Sequence, residues 1–168
     1  LNALIKGDPS DILFSEVELA LTEQGSAASA PVLDYLQDSP DEQRDRLLSL
    51  VARAGVRDER IRDLLIEAMP SNPMLLASAA AQYGDPALLP ALSQALDRTP
   101  TPDPDPDTFF ASFGERQNIV ELTAAIEELG GTLSASQQAK SKTVALQIEL
   151  WRLNMGLPKF DLQSLLGD

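Results

Sequence analysis

The sequence predicts an all-α protein built as a stack of helical hairpins, with about seven to nine helices in all. Leu and Ala supply most of its apolar side chains and both favour helices, whereas no stretch alternates polar and apolar residues as a strand does. Helix-like segments also end in Gly at a regular distance: Gly55 follows Gly25 by 30 residues, and Gly84 follows Gly55 by 29. A Gly just past a helix is its usual left-handed cap. This regular distance predicts a repeated hairpin.

The helices that follow these glycines carry apolar residues on one face, as a packed helix requires. The two clearest faces consist of Ile61, Leu64, Leu65 and Ala68 and of Leu88, Leu89, Leu92 and Leu96. Residues 73–83 are instead rich in Ala, and small side chains let neighbouring helices approach closely. We therefore expect this helix to lie in the middle of the stack.

A segment that cannot be helical interrupts the array. Residues 99–108 alternate Pro with Thr or Asp, and each Pro pushes the residue before it towards extended geometry. This Pro/Asp-rich insertion lies between the third hairpin and a fourth one that turns at Gly130. We expect a stiff, exposed spacer within a single domain over residues 1–168, with Phe109, Phe110 and Phe113 pinning the chain back onto the body. A boundary between two domains near residue 100 is the alternative.

One long helix is predicted over residues 134–155, with apolar residues on two sides. The first side holds Val144, Ile148, Trp151 and Met155, and the second holds Leu146, Leu150, Leu153 and Leu157. Such a helix is buried on several sides, either among other helices or against a partner. Trp151 and Met155 are the candidate residues for a homodimer interface. Residues 160–168 look like a short amphipathic piece that caps the end of the array or leads into a further domain.

The composition argues against several classes of function. A net charge of −13 and a pI near 4.3 disfavour nucleic-acid binding and docking on anionic membranes, since both depend on Lys and Arg. The chain has no Cys and no His, so it has neither a thiolate nor an imidazole for catalysis, and we expect no enzyme, no cofactor and no metal site. No apolar run approaches the length of a membrane span. We expect a cytoplasmic protein, and a first residue other than Met suggests a processed chain or an excised piece.

Asp103, Asp105 and Asp107 alternate like the first ligands of a calcium-binding loop. The EF-hand pattern would require Gly at its sixth and Glu at its twelfth place, where this chain has Thr108 and Gly114. The three residues therefore indicate a solvated acidic spacer.

Six arginines form a locally basic cluster in this acidic chain: Arg44, Arg46, Arg53, Arg57, Arg60 and Arg62. If Arg53, Arg57 and Arg60 lined one groove, they would form an anion-binding site for a phosphate or an acidic peptide. Acidic residues flank the cluster at helical spacings, however, and such spacings favour ordinary surface ion pairs.

The phrase AAAQYGDPALLPALSQALD, residues 79–97, closely resembles the HEAT-like repeat of the phycobilin-lyase type. The residues that carry the resemblance are Gly84, Asp85, Pro86, Leu89, Pro90, Leu92 and Leu96. The resemblance implies a right-handed α-solenoid, in which each helix pair buries its neighbour's apolar face and the curved surface binds other proteins. That family also contains pigment lyases and DNA glycosylases, so the fold alone does not dismiss enzymes.

An alignment of the predicted hairpins supplies the candidate partner-binding residues. Tyr35, Glu67 and Gln94 fall in one column of the second helices, and Pro31, Asp63 and Pro90 fall in another. The first column and Asp63 are therefore predicted to face a protein or peptide partner. The sequence favours a non-enzymatic scaffold for protein–protein interaction, either by itself or as a module of a larger protein. An accessory or ligand-binding domain that uses the cluster from Arg44 to Arg62, and a homodimer through the last helix, are the alternatives.

Overall fold

The computed structural model describes residues 21, 23–24, 27, 29–38, 41–104 and 109–156. Within those ranges every regular element is helical, so the all-α prediction is confirmed. The helices are α1 (Ser29–Asp38), α2 (Asp41–Arg53), α3 (Glu59–Ala68), α4 (Pro73–Tyr83), α5 (Leu89–Arg98), α6 (Phe113–Glu128) and α7 (Ala135–Asn154). A short 3₁₀ turn over Pro86–Leu88 leads into α5, where the sequence predicts one continuous helix.

Three of the predicted glycine caps are confirmed. Gly55, Gly84 and Gly130 have φ angles of +75°, +72° and +77°, the left-handed region in which a side chain is strained. Each ends the first helix of a pair, and α3, α5 and α7 follow. Gly25 lies outside the described residues.

Helix α4 lies at the centre of the packing, as its alanines predict. It packs against α2 on one side and α6 on the other. Six of its side chains are buried: Leu76, Ala77, Ala79, Ala80, Ala81 and Tyr83. The first helices of successive pairs, α2, α4 and α6, therefore form a row with α4 in the middle.

The second helices contact one another through polar groups as well as apolar ones. Gln137 of α7 donates to the carbonyl oxygen and hydroxyl of Ser93 and to the carboxylate of Asp97, at 3.2, 2.8 and 2.9 Å. Lys140 donates to the carbonyl oxygens of Leu96, Asp97 and Thr99, at 2.8, 3.2 and 2.7 Å. These carbonyls end α5, where a positive charge is favourable because it meets the negative end of the helix dipole. The last helix is thereby fastened to the C-terminal end of α5.

The Pro/Asp insertion is fastened to the body by a buried arginine. Arg116 of α6 is only 2% exposed. Its guanidinium donates to the carbonyl oxygens of Asp103 and Phe109 at 2.7 and 2.9 Å, and to the side chains of Ser112 and Gln147 at 2.7 and 3.0 Å. Gln147 of α7 in turn donates to the carbonyl oxygen of Pro102 at 3.2 Å. Both ends of the insertion are thus bonded to the last helix pair.

The aromatic residues after the insertion behave differently from one another. Phe109 is buried and stacks on Trp151 of α7, with ring centroids 4.9 Å apart and planes 6° apart, while Arg116 covers its other face. Phe110 meets both rings edge-on but is 72% exposed, and Phe113 is 52% exposed. Phe109 therefore pins the chain to the body as predicted, whereas most of the surface of Phe110 and Phe113 faces solvent.

The two sides of the insertion share one apolar core. Helix α6 packs on both α4 and α5. One connected cluster of buried side chains contains residues from both sides of the insertion, the first being Leu21 and the last Val144. Among the described residues no helix combines the length and apolar composition needed to cross a membrane.

Tyr83, at the end of α4, links two neighbouring pairs of helices. Its buried hydroxyl donates to the carbonyl oxygen of Asp58 at 2.9 Å and accepts from the Asp58 N–H at 3.1 Å. Asp58 is also the N-cap of α3, where its side chain accepts from the Arg60 N–H. A single phenol group therefore holds the turn before α3 against the end of α4.

We expect Tyr83→Phe to lower the free energy of unfolding by about 1–2 kcal/mol, because the ring stays in place and both backbone groups of Asp58 lose a partner. Urea denaturation followed by circular dichroism measures this. Equal stability of Tyr83→Phe and the wild type would mean that water replaces the hydroxyl.

Candidate functional site

The predicted partner-binding residues lie on the outward faces of the second helices. Asp63, Glu67 and Gln94 are exposed, on α3 and α5. Glu67 comes two residues after buried Leu65, and Gln94 comes two residues after buried Leu92. These two side chains therefore occupy equivalent positions in successive hairpins.

Tyr35 has a different environment from Glu67 and Gln94. It directly precedes buried Leu36 in α1 and is itself half-buried, and it makes a contact within the chain. In the second predicted column, Asp63 of α3 and Pro90 of α5 have the same environment. Each comes two residues before a buried Leu, and each is exposed. We call Asp63, Glu67, Pro90 and Gln94 the second-helix face.

Most of the arginine cluster is engaged in contacts within the chain. Arg60 forms a two-pronged pair with Asp58, with Nε to Oδ1 at 2.9 Å and Nη2 to Oδ2 at 2.8 Å. The hydrogen bond from Arg60 holds the pKa of Asp58 below its usual value, and the same bond raises the pKa of Arg60. Arg62 pairs with Asp63 at 2.9 Å and lies 3.8 Å from Asp85. An acidic side chain therefore already neutralises each of these two guanidiniums.

The other candidate anion-binding arginines are spread over different surroundings. Arg57 lies over the ring of Tyr83 at 4.5 Å and donates weakly to the Gln82 carbonyl oxygen at 3.4 Å. Arg53 is exposed in the last turn of α2, and Arg44 and Arg46 have contacts of their own. An anion bound between Arg53, Arg57 and Arg60 would have to compete with Asp58 for Arg60. The geometry resembles ordinary surface ion pairs more than a prepared anion site.

The two candidate dimer residues on α7 differ in their exposure to solvent. Trp151 is half-buried because Phe109 and Phe110 pack against it, so much of its ring already has an intramolecular partner. Met155, at the end of the helix, is 61% exposed.

The second apolar side of α7 is not covered by another helix of the described residues. Leu146, Leu150 and Leu153 are 48%, 61% and 43% exposed, and we call them the leucine stripe. Val144 and Gln147 are buried and face the body, and the leucine stripe lies on average about 120° around the helix from them. Helical periodicity shows that a side is apolar, but not whether another element covers it. Neither Leu157 nor residues 160–168 belong to the described part of the chain.

A surface depression that the sequence does not predict lies beside the C-terminal end of α5. It has a volume of about 290 Å³ and is lined by Pro70, Ser71, Pro73, Ala95, Arg98, Thr99, Pro100 and Asn118. This volume is at the lower limit for a small-molecule site. Its only ionisable lining side chain is Arg98, so the depression offers no pair of groups for acid–base chemistry.

No group of three acidic side chains within the described ranges is placed to hold a metal ion. Of the three alternating acids, Asp103 is exposed and its backbone carbonyl is the partner of Arg116, while Asp105 and Asp107 lie outside those ranges.

The chain matches no protein-family model, no curated protein and no solved structure. The packing and the exposed surfaces of the chain are therefore what indicates its function.

Proposed function

We propose that this chain is a non-enzymatic, HEAT-like α-solenoid scaffold that binds a protein or peptide partner. The observation that supports this most is the row formed by α2, α4 and α6, in which each first helix packs on the first helix of the next pair. Packing between every second helix is typical of stacked hairpins. In such a stack the row of first helices is buried, and the row of second helices has one side exposed to solvent. The 30-residue distance between the starts of α1, α3 and α5 agrees with it.

The open side of this stack is the surface that we propose for the partner. The second-helix face offers the exposed carboxylate of Glu67 and the exposed amide of Gln94, together with the exposed carboxylate of Asp63, which also pairs with Arg62. Ile66, 38% exposed, adds an apolar contact on the same helix. Since the whole chain has a net charge of −13, a partner segment that carries Lys or Arg would be attracted from a distance. The proposed partner is therefore a basic peptide segment or a basic protein surface.

Affinity capture from an extract of the source cells tests this proposal. We expect the Asp63→Ala/Glu67→Ala/Gln94→Ala variant to recover its partner at least about tenfold less well than the wild type, which corresponds to ~1.4 kcal/mol of binding free energy. Raising the salt concentration should weaken capture by the wild type as well, because screening reduces attraction between exposed charges.

The Glu127→Ala/Glu128→Ala variant is the matched control, since both residues are exposed acids on α6, which is a first helix and not part of the second-helix face. It should capture as the wild type does. Equal losses in the two variants would show that general acidity, and not the second-helix face, attracts the partner. Unchanged capture by the first variant would remove the face from consideration.

A further inference from the structure

The depression beside the C-terminal end of α5 lies where the second-helix face ends. Arg98, which lines it, is exposed on α5 one helical turn after Gln94. Pro70 and Ser71, which line it too, follow the C-cap of α3 and come three and four residues after Glu67. The depression therefore continues the surface that we propose for the partner, at the ends of both second helices.

Arg98 brings a positive charge to this depression. Among the described residues no acidic side chain pairs with it, whereas Arg60 and Arg62 each contact an Asp. The carboxylate next to it in the chain, that of Asp97, accepts from Gln137 at 2.9 Å, and none of the residues that line the depression is acidic. In a chain with a net charge of −13, an exposed guanidinium without an acidic partner can bind an anion from outside.

The walls of the depression are mostly apolar and rigid. Pro70, Pro73 and Pro100 line it together with buried Ala95. Because a proline ring fixes φ, these walls lose little freedom when a ligand binds. The volume of about 290 Å³ suits one apolar side chain and a charged group. The single charge of Arg98 matches a monocarboxylate, whereas a phosphate group would carry up to about −2.

We propose, on the basis of the proposed function, that this depression binds the C-terminal end of the partner segment. The terminal carboxylate pairs with Arg98, and an apolar last side chain lies among the prolines. Asp63 is about 10 Å from the level of Pro70 along α3, at 1.5 Å per residue, and Glu67 is closer. An extended peptide spans ~3.4 Å per residue, so basic residues two to four positions before its C-terminus reach these two carboxylates.

N-acetyl-leucine is the probe for this site, because it combines a C-terminal carboxylate with one apolar side chain. We expect it to shift the backbone amide signals of Ser71, Thr99 and Asn118 in the NMR spectrum of the full chain, with a dissociation constant in the millimolar range. N-acetyl-leucinamide, its neutral counterpart, should bind at least about tenfold less well, since it cannot pair with the guanidinium.

Arg98→Met should weaken the binding of N-acetyl-leucine by about tenfold and abolish the preference for the acid over the amide. Arg53→Met is the matched control, because Arg53 is exposed in the last turn of α2 as Arg98 is in the last turn of α5. It should bind as the wild type does. Equal binding by Arg98→Met and the wild type would overturn the proposal, and so would shifts that occur only away from the depression.

The acetylated peptide Lys-Ala-Lys-Ala-Leu separates this proposal from the proposed function. With a free C-terminus it should bind about tenfold more tightly than N-acetyl-leucine, and Asp63→Ala/Glu67→Ala should remove that gain. Equal binding of the free and the amidated peptide would contradict capture of the C-terminus but not the basic partner. No gain from the lysines would contradict the basic partner but not the carboxylate site. Weaker binding of the peptide than of N-acetyl-leucine would show that the depression takes a free carboxylic acid instead.

Discussion

Replacing Arg116 with Met is expected to lower the free energy of unfolding by about 3–4 kcal/mol, the largest effect of any single change considered for this chain. The side chain of Met fills a similar volume but donates no hydrogen bond. The carbonyl oxygens of Asp103 and Phe109 and the amide oxygen of Gln147 would each lose a charged donor, and the bonds to Phe109 and Gln147 are buried. Phe109 would also lose the cation that covers its ring at 4.4 Å.

Urea denaturation gives the size of this effect, and fluorescence shows where it arises. Trp151 is the only Trp of the chain and stacks on Phe109, so its emission reports on the cluster around Arg116. We expect Arg116→Met to shift that emission to longer wavelength. Arg116→Lys should recover only part of the lost stability, because an ammonium group lacks the planar fork that reaches several acceptors at once.

Arg53→Met is the matched control for Arg116→Met, since Arg53 is exposed in the last turn of α2. Its free energy of unfolding should stay within about 1 kcal/mol of the wild-type value, which allows for a small interaction with the helix dipole. If Arg116→Met were as stable as this control, the hydrogen bonds of the guanidinium would contribute little, and Phe109 together with the Gln147–Pro102 hydrogen bond would hold the insertion.

The second large effect is expected from adding volume to the centre of the stack. Ala80 of α4 is fully buried, and its helix packs against both α2 and α6. Ala80→Leu adds three carbon atoms where no space is available. The helices must separate or the new side chain must adopt a strained rotamer. We expect a loss of about 3 kcal/mol in the free energy of unfolding, at the upper end of the usual range for overpacking.

Gln82→Leu is the control in the same helix. Gln82 is exposed, and its main-chain carbonyl oxygen, which accepts from Arg57, is kept by any substitution. The change should alter stability by no more than about 0.5 kcal/mol. Thermal and urea denaturation of the two variants give the comparison. A stable Ala80→Leu protein would show that α4 is packed more loosely than its buried alanines indicate.

The local features of this fold could be predicted from the sequence because local chemistry determines them. Gly55, Gly84 and Gly130 end helices because only a residue without a Cβ accepts the left-handed conformation cheaply. The last helix, predicted over residues 134–155, is observed over Ala135–Asn154, and Ser134 and Gln137 form a reciprocal capping box at its start. Helix type and boundaries therefore follow from the sequence to within a few residues.

The features that could not be predicted depend on contacts between residues far apart in the chain. A charged residue such as Arg116 is ordinarily expected at the surface, and its burial follows from acceptors supplied by Asp103, Phe109 and Gln147. Gly131 has no unusual φ, but a Cβ there would lie 2.6 Å from Cδ2 of Leu89, on another helix. The sequence contains no signal for either contact.

On the candidate surfaces, too, the features set by local periodicity could be predicted, and those set by contacts between distant residues could not. Burial spacing in α3 and α5 agrees with the predicted positions of Glu67 and Gln94, because both depend on helical periodicity. Tyr35 does not share their exposure, although it also comes two residues after a buried leucine, Leu33. Arg60 and Asp58 are only two residues apart, which is not a helical pairing distance, so neither their ion pair nor the position of Arg57 over the Tyr83 ring could be predicted from the spacing.

The guanidinium of Arg116 donates hydrogen bonds to the backbone at Asp103 and again at Phe109. The residues before and after the intervening segment are therefore held next to the same side chain. The distance between those two points is set by the width of a single planar group, whatever number of residues connects them. Lengthening a connection between fixed ends costs only ~0.6 kcal/mol for each doubling of its length. The stretch between Asp103 and Phe109 is therefore the natural position for an inserted epitope or a reporter domain, since the helical stack on either side would carry it without rearrangement.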